Sequence, residues 1–377
     1  MPRGLPRAGV LESARLAAAL APPGAPHVAR RRDLLRARPL LAGLESRYGG
    51  RPVLLRRRGG PALLVLSKRD ALRVLRDERD AYAPAVEERP HALPAGVLGP
   101  SFVEIAREEA GELAGGVVDF PRLDARWQRV ARRCVYGAGA AGDEELTRLL
   151  AGLARAGRRR ARRRQEILSG RYDARILDHL RRAEPGSLAG LIAETSGQAE
   201  SRALMQAAFW LMGLGAAATG LMQALALLAA HPAQRKAARA DPGRLRACLR
   251  EAQRLWPPAP ALSRVTATTT EWYGAALPAG TTVLVPLAAH QRGAGLPYAN
   301  TFAPEIWLDG TATGEWWAMP GCEGVHLTLT VGTAFLEGML RAARPKPVGR
   351  VLSPHRPLPH TLNVARLRVS MRPRRTT

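Results

Sequence analysis

Residues 247–266 read ACLREAQRLWPPAPALSRVT, and the reading of the fold turns on them. The first half has helical texture, with Glu251 and Arg254 three apart, where side chains on one helical face can pair. Trp256 then meets Pro257, Pro258 and Pro260, which cannot continue a helix. Thr- and Val-rich sequence follows, and Val265–Trp272 and Thr281–Val285 predict strands joined by the Ala279-Gly280 turn. Acid–base pairs at this spacing are common on exposed helices. This one gains meaning from its setting, immediately before Leu-Trp-Pro-Pro and 71 residues ahead of Cys322 (322 − 251).

Upstream, helices dominate. The pattern predicts them over Pro39–Tyr48, Lys68–Arg76, Phe102–Val117, Asp124–Val135, Asp143–Arg164, Asp173–Ala183, Ser187–Thr195, Ser201–Ala230 and Pro242–Leu255. Pro52–Arg56 and Pro61–Leu66, separated by Gly59-Gly60, predict a β-hairpin. From Met205 to Ala230 there is no charge, a length that can span a bilayer. Gln206, Gln223, the Gly/Ala-rich centre and the lack of a second such span favour a central helix buried on all sides, with no transmembrane anchor. His231-Pro232 stops it. His231, His290, His326, His355 and His360 show no metal-ligand spacing and read as capping or surface groups.

Downstream, Thr301-Phe302-Ala303-Pro304-Glu305-Ile306-Trp307 precedes Gly321-Cys322-Glu323-Gly324, which opens a last amphipathic helix, Cys322–Ala343, before a short β-like tail. A cysteine at a helix start sits where backbone N–H groups and the helix dipole favour a thiolate. Its flanking glycines let the backbone approach a flat ligand. A buried cysteine in a small-residue turn is the plainer alternative. The fold class is mainly α with small β-sheets (α+β), read as one domain over 1–377 with a flexible N-terminus, 1–30, and a basic tail, 371–377.

The chain carries 57 basic and 32 acidic residues, a net charge of +25. Such a field attracts acidic partners, but its excess is arginine, with no aromatic-interleaved basic motif, so nucleic acid is not the expected partner. The run Arg158–Arg164 reads as a solvated helix face or as a docking patch for an acidic protein. Cys134, Cys248 and Cys322 are too few and too scattered for a disulfide scaffold, and the N-terminus lacks a secretory apolar run; a cytoplasmic location is expected.

The stretch Ala247–Thr266 resembles the Glu-x-x-Arg helix and Pro-rich turn of the cytochromes P-450, haem-thiolate monooxygenases, in their bacterial form. Phe302–Trp307 is similar to that family's Phe-x-Pro-Glu-x-Trp segment, the helix around Gly213–Gly220 to its oxygen-binding helix, and Arg356–Asn363 to its C-terminal hairpin. The resemblance implies the P-450 fold, a triangular prism-like helical domain, and a haem b cofactor. By the same resemblance Cys322 is the iron ligand and Arg264 a propionate anchor, with Trp316, Gly324, Gly215 and Ala216 also at the haem. Thr219 is the distal hydroxyl, and Glu251 and Arg254 lock with a downstream Arg, Asn or His. It further implies a monomer oxidising a hydrophobic small molecule, possessing a docking face for ferredoxin on the cysteine side, with ferredoxin reductase behind it.

The departures are specific. The family's loop, Phe-x-x-Gly-x-Arg-x-Cys-x-Gly, has Glu315, Ala318 and Pro320 at its matching positions here; Trp316 replaces the Phe if the loop is one residue shorter, and the propionate-binding Arg is missing. Ala218 stands where an acid precedes the threonine. In Val103–Val117 Arg107 is the only base, leaving Trp127 and Arg132 as substitutes in poorly fitting chain order. Two other readings therefore stay open: a peroxide-driven or isomerase-like haem enzyme, and a degenerate, non-catalytic partner protein.

Overall fold

The computed structural model describes residues 4–374 apart from 21–26, 58, 85–92, 160, 196–198, 294, 313–322 and 350–351. Helices α1 (Val10–Ala19) and α2 (His27–Tyr48) lead into the hairpin β1 (Val53–Leu55) and β2 (Ala62–Leu64), with Leu54 opposite Leu63. Gly59 and Gly60 turn it at φ 93° and 111°, values that favour glycine. Helix α3 (Lys68–Leu72) starts at Ser67, whose hydroxyl accepts from the Asp70 amide. After β3 (Tyr82–Pro84) come α4 (Gly99–Gly111), β4 (Gly116–Asp119), α5 (Phe120–Tyr136), α6 (Glu144–Arg158), α7 (Arg162–Arg182), α8 (Leu188–Glu194), α9 (Glu200–Gly215), α10 (Ala218–Ala230), α11 (Pro232–Ala240) and α12 (Pro242–Leu255). The chain then alternates: β5 (Ala261–Thr266), β6 (Thr270–Trp272), β7 (Ala275–Leu277), β8 (Thr282–Pro286), α13 (Leu287–Gln291), α14 (Glu323–Ala342), β9 (Ala343–Pro347) and β10 (Arg368–Pro373).

The main sheet runs β1-β2-β8-β5-β3, so the strands following the Pro-rich turn pair with the N-terminal hairpin, β8 lying parallel to β2. The tail strands β9 and β10 close a second sheet with β4, and β6–β7 form a hairpin. The helices hold the largest core. Trp127 of α5 is fully buried edge-on to Phe335 of α14, ring centres 5.3 Å apart. Helices α4 and α14 approach closely because residue 338 is glycine: a Cβ there would stand 2.9 Å from Ala110 Cβ and 3.0 Å from the Arg107 carbonyl. Beside that contact, Glu109, only 3% exposed, is paired with Arg129 at 2.7 Å, Arg133 at 2.8 Å and Arg126 at 3.4 Å.

Several boundaries differ from the sequence expectation. Helix Phe102–Val117 stops at Gly111, and Val117 instead joins a strand opposite Ser370, since Gly116 at φ 73° turns the chain out of the helix. The predicted helices Asp143–Arg164 and Asp173–Ala183 are redrawn, α6 ending at Arg158 and α7 running from Arg162. Val265–Trp272 is split between β5 and β6. Pro232 not only stops the long helix but takes the first turn of α11, where its missing N–H is no loss.

Candidate active site

Glu251 and Arg254 form a buried bidentate pair, Nε to Oε2 and Nη2 to Oε1 both 2.7 Å, with Glu251 fully inaccessible. Every remaining valence is used. Arg254 donates to the carbonyls of Gln291 (2.8 Å), Tyr298 (3.0 Å) and Thr301 (3.2 Å). Glu251 accepts from the Ala303 amide and from Trp307 Nε1, both at 3.0 Å. Two charges out of water are tolerable only when saturated in this way. The effect is to tie α12 to residues 298–307, the stretch that leads toward the Cys322 loop. Among the described residues the downstream side chain on Glu251 is the Trp307 indole. The Arg250 guanidinium covers that indole at 4.4 Å.

A second knot, missed from sequence, sits beside the first. Arg292 is 5% exposed and donates to the carbonyls of Ala299, Leu255, Pro359 and Leu358 and to Asn300 Oδ1, at 2.7–3.2 Å. It fastens the Pro-rich turn and the 358–359 tail to the same stretch. Burial and the neighbouring Arg254 push its pKa down to about 10. No spacing motif marks a lone arginine in Gln-Arg-Gly; only its carbonyl-rich surroundings do. His290 is also recast: half-buried, with Nε2 3.1 Å from the Val65 carbonyl, it carries a pKa pushed down to about 4 by burial, so it is neither a cap nor a surface group.

Arg264 lies buried on β5, opposite Val283 of β8 and next to β3. The long helix is broken at its centre. Gly215 is the buried last residue of α9, Ala216 is exposed in the break, and Thr219 is half-buried in the first turn of α10. On α9, Met205 and Met212 are 40% and 45% exposed at a seven-residue spacing, while Trp210, Leu211 and Leu214 are buried. One apolar face of a central helix is thus left open. Gly324 is buried in the first turn of α14. Cys322 and Trp316 lie outside the described residues.

The bases considered for propionates are engaged elsewhere. Arg107 pairs with Glu337 of α14 at 2.9 Å and with Glu104 at 2.8 Å. Trp127 donates to the Leu214 carbonyl at 2.6 Å. Arg132, 3% exposed, spends its guanidinium on the Ala140 and Ala141 carbonyls and Thr147 Oγ1.

Solved structures share this architecture over nearly the whole chain. A zebra fish cytochrome P-450, in a structure with abiraterone, superposes with a TM-score of 0.68 at 20% identity, covering 89% of this chain and 99% of that one. Cyanobacterial CYP120A1 bound to retinoic acid gives 0.69 at 13% identity, over 88% and 93%. CYP175A1 from Thermus thermophilus gives 0.63 at 21%, over 90% and 96%. In sequence, residues 243–317 match the family described as cytochrome P450. The chain thus has the cytochrome P-450 fold, and one segment of it matches that family in sequence. No curated protein matches it.

The matched segment holds the knot at Glu251 and Arg254. Glu200–Ala230 is long and apolar enough to cross a membrane, yet 67% of its most apolar window is buried inside the protein. The arginine run falls at the α6–α7 junction, a hairpin that packs on α8 and α9 and touches α5 through Tyr136 stacked on His179 and Arg132 bonded to Thr147. Between α12 and α14, Arg246 donates to Thr330 Oγ1 at 3.2 Å.

The residues present fit a haem on two counts. In sequence Cys322 comes directly before Glu323, the first residue of α14, and a helix start favours a thiolate. The open Met205/Met212 face suits a flat apolar group or its substrate.

Proposed function

We propose that this chain is a P-450 and a haem-thiolate oxidative enzyme acting on a hydrophobic small molecule. Cys322 would hold haem b by its iron and Arg264 would meet a propionate. Trp316, Gly324, Gly215 and Ala216 would border the ring, with the Met205/Met212 face as the substrate wall. The observation that carries the reading is the saturated Glu251–Arg254 knot, which fixes the approach to the cysteine loop in a P-450 fold. When bound, thiolate-ligated haem supplies the oxidising power, the sulfur pushing electron density toward O–O cleavage. The protein's part is to brace the 298–307 stretch, to keep an apolar and dry distal face, and to place the Thr219 hydroxyl where a proton is to be passed. Electrons would come from ferredoxin and its reductase, with the cysteine side around Arg246 as docking face.

The missing acid before Thr219 favours a second reading, a peroxide-driven or isomerase-like enzyme. Haemin titration of the full chain, followed by turnover of a panel of apolar substrates with ferredoxin and reductase or with hydrogen peroxide alone, separates the cases. Saturation at one haem per chain with reductant-dependent product supports the first reading; product with peroxide alone supports the second. No saturable haem binding overturns both.

A further inference from the structure

The break in the long helix has no proline to cause it: Glu200–Ala230 contains none. Proline aside, a sharp interruption of a helix usually marks a side chain or water inserted into the backbone ladder, a bulge or a small-residue pair. Here two side chains from α5 are inserted. Trp127 Nε1 donates to the Leu214 carbonyl at 2.6 Å, and Gln128 Nε2 donates to the Gly215 carbonyl at 3.1 Å. In an unbroken helix those carbonyls would accept from Ala218 and Thr219. Instead Ala217 bonds back to Leu214 at 3.1 Å, tightening the turn, and among the described residues the carbonyls of the turn, Ala216 and Ala217, accept from neither the Thr219 nor the Gly220 amide. Both inserted groups are themselves fixed. Trp127 is clamped against Phe335, and Gln128 Nε2 also donates to Asp124 Oδ1 at 3.0 Å. Gly215 is what admits Gln128, since a Cβ there would lie 2.8 Å from Gln128 Oε1.

We propose that Trp127 and Gln128 are positioning residues that hold the long helix open at 216–217, leaving the first-turn amides of α10 and the Thr219 hydroxyl as polar donors at the distal face. This rests on reading α9–α10 as the distal helix of a haem enzyme. It gives the site hydrogen-bond donors in place of the acid that the sequence lacks before Thr219. Neither residue need touch substrate or haem; each acts through a carbonyl of the helix.

Hydrogen exchange of the full-length protein, read over residues 214–222, tests it with Trp127→Phe/Gln128→Met. Fast exchange of the Ala218, Thr219 and Gly220 amides is expected in the wild type. In the variant the ladder should close and those amides slow by roughly tenfold or more. With haem loaded, the closed variant should divert a larger share of electrons to peroxide at unchanged haem uptake. Wild-type amides already protected, or exchange unchanged in the variant, would overturn the proposal. So would a closed ladder with unchanged peroxide leakage. Should the double variant lose protection in α12 as well, Gln128→Met alone, at a half-buried site, carries the same test. A protein that takes up no haem defeats the functional reading while the exchange result on the break still stands.

Discussion

The two halves of the candidate site use opposite strategies toward their own backbone. Around α12, two buried arginines gather the carbonyls of residues 291, 298, 299, 301, 255, 358 and 359, and Glu251 accepts from the Ala303 amide and the Trp307 indole, so that the backbone of this stretch is firmly held. At the centre of the long helix the ladder is interrupted at 216–217, and side chains of another helix sit on the carbonyls of Leu214 and Gly215. Rigidity is built where a loop must be presented; looseness is built where small polar species must come and go. Buried charge serves the first purpose because a saturated ion pair has only one geometry.

The sharpest way to break this contrast is Glu251→Gln, which leaves Arg254 buried without its counter-charge. A loss of about 3–5 kcal/mol is expected, with failure to fold at physiological temperature as the practical readout in thermal melts. A variant melting like the wild type would mean the knot is not what holds the 298–307 stretch. Arg292→Met should come next, at about 2–4 kcal/mol by denaturant titration, because it strands four carbonyls and Asn300. Arg292→Lys is expected to recover little, since an ammonium cannot reach that fork of acceptors.

Acid separates the knot from its surroundings. His290 is held neutral with a pKa near 4 against an ordinary value of 6.5, so the unfolded chain binds its proton first. Stability is therefore full above about pH 6.5 and falls as pH drops toward about 4, by about 2 kcal/mol once partial exposure is allowed for. His290→Gln keeps a donor toward Val65 and should flatten that part of the pH profile; an unchanged slope would place the acid sensitivity elsewhere. The smallest effect is expected at the break. Gln128→Met should alter global stability by no more than about 1 kcal/mol, because the Gly215 carbonyl can recover a backbone partner. A large loss there would make the break as structural as the knot and erase the contrast.

Sequence pattern carried much of this but not evenly. The Glu251/Arg254 spacing, the Pro-rich turn and the uncharged long helix are local signals, and each became a local structure. Arg292, the Trp307 indole and the Trp127–Gln128 insertion were not legible. Their partners are backbone carbonyls or atoms tens of residues away, and a carbonyl has no letter in the sequence. The break at 216–217 was hidden for the same reason. Ala-Ala-Ala-Thr reads as helix, and only α5, some ninety residues earlier, supplies the donors that interrupt it: 215 − 128 is 87. The arginines that the family resemblance raised for propionates, Arg107 and Arg132, are bonded to Glu337 and to the Ala140–Ala141 carbonyls and Thr147, partners brought to them only by the fold.

The central claim is that a P-450 fold here presents Cys322 to haem iron. The visible spectrum of the reduced, haem-loaded protein under carbon monoxide tests it directly, beside Cys322→Ser. The account predicts a strongly red-shifted Soret band in the wild type that is lost in the variant while the helical far-ultraviolet signal persists. The same band in both proteins, or in neither, would contradict it.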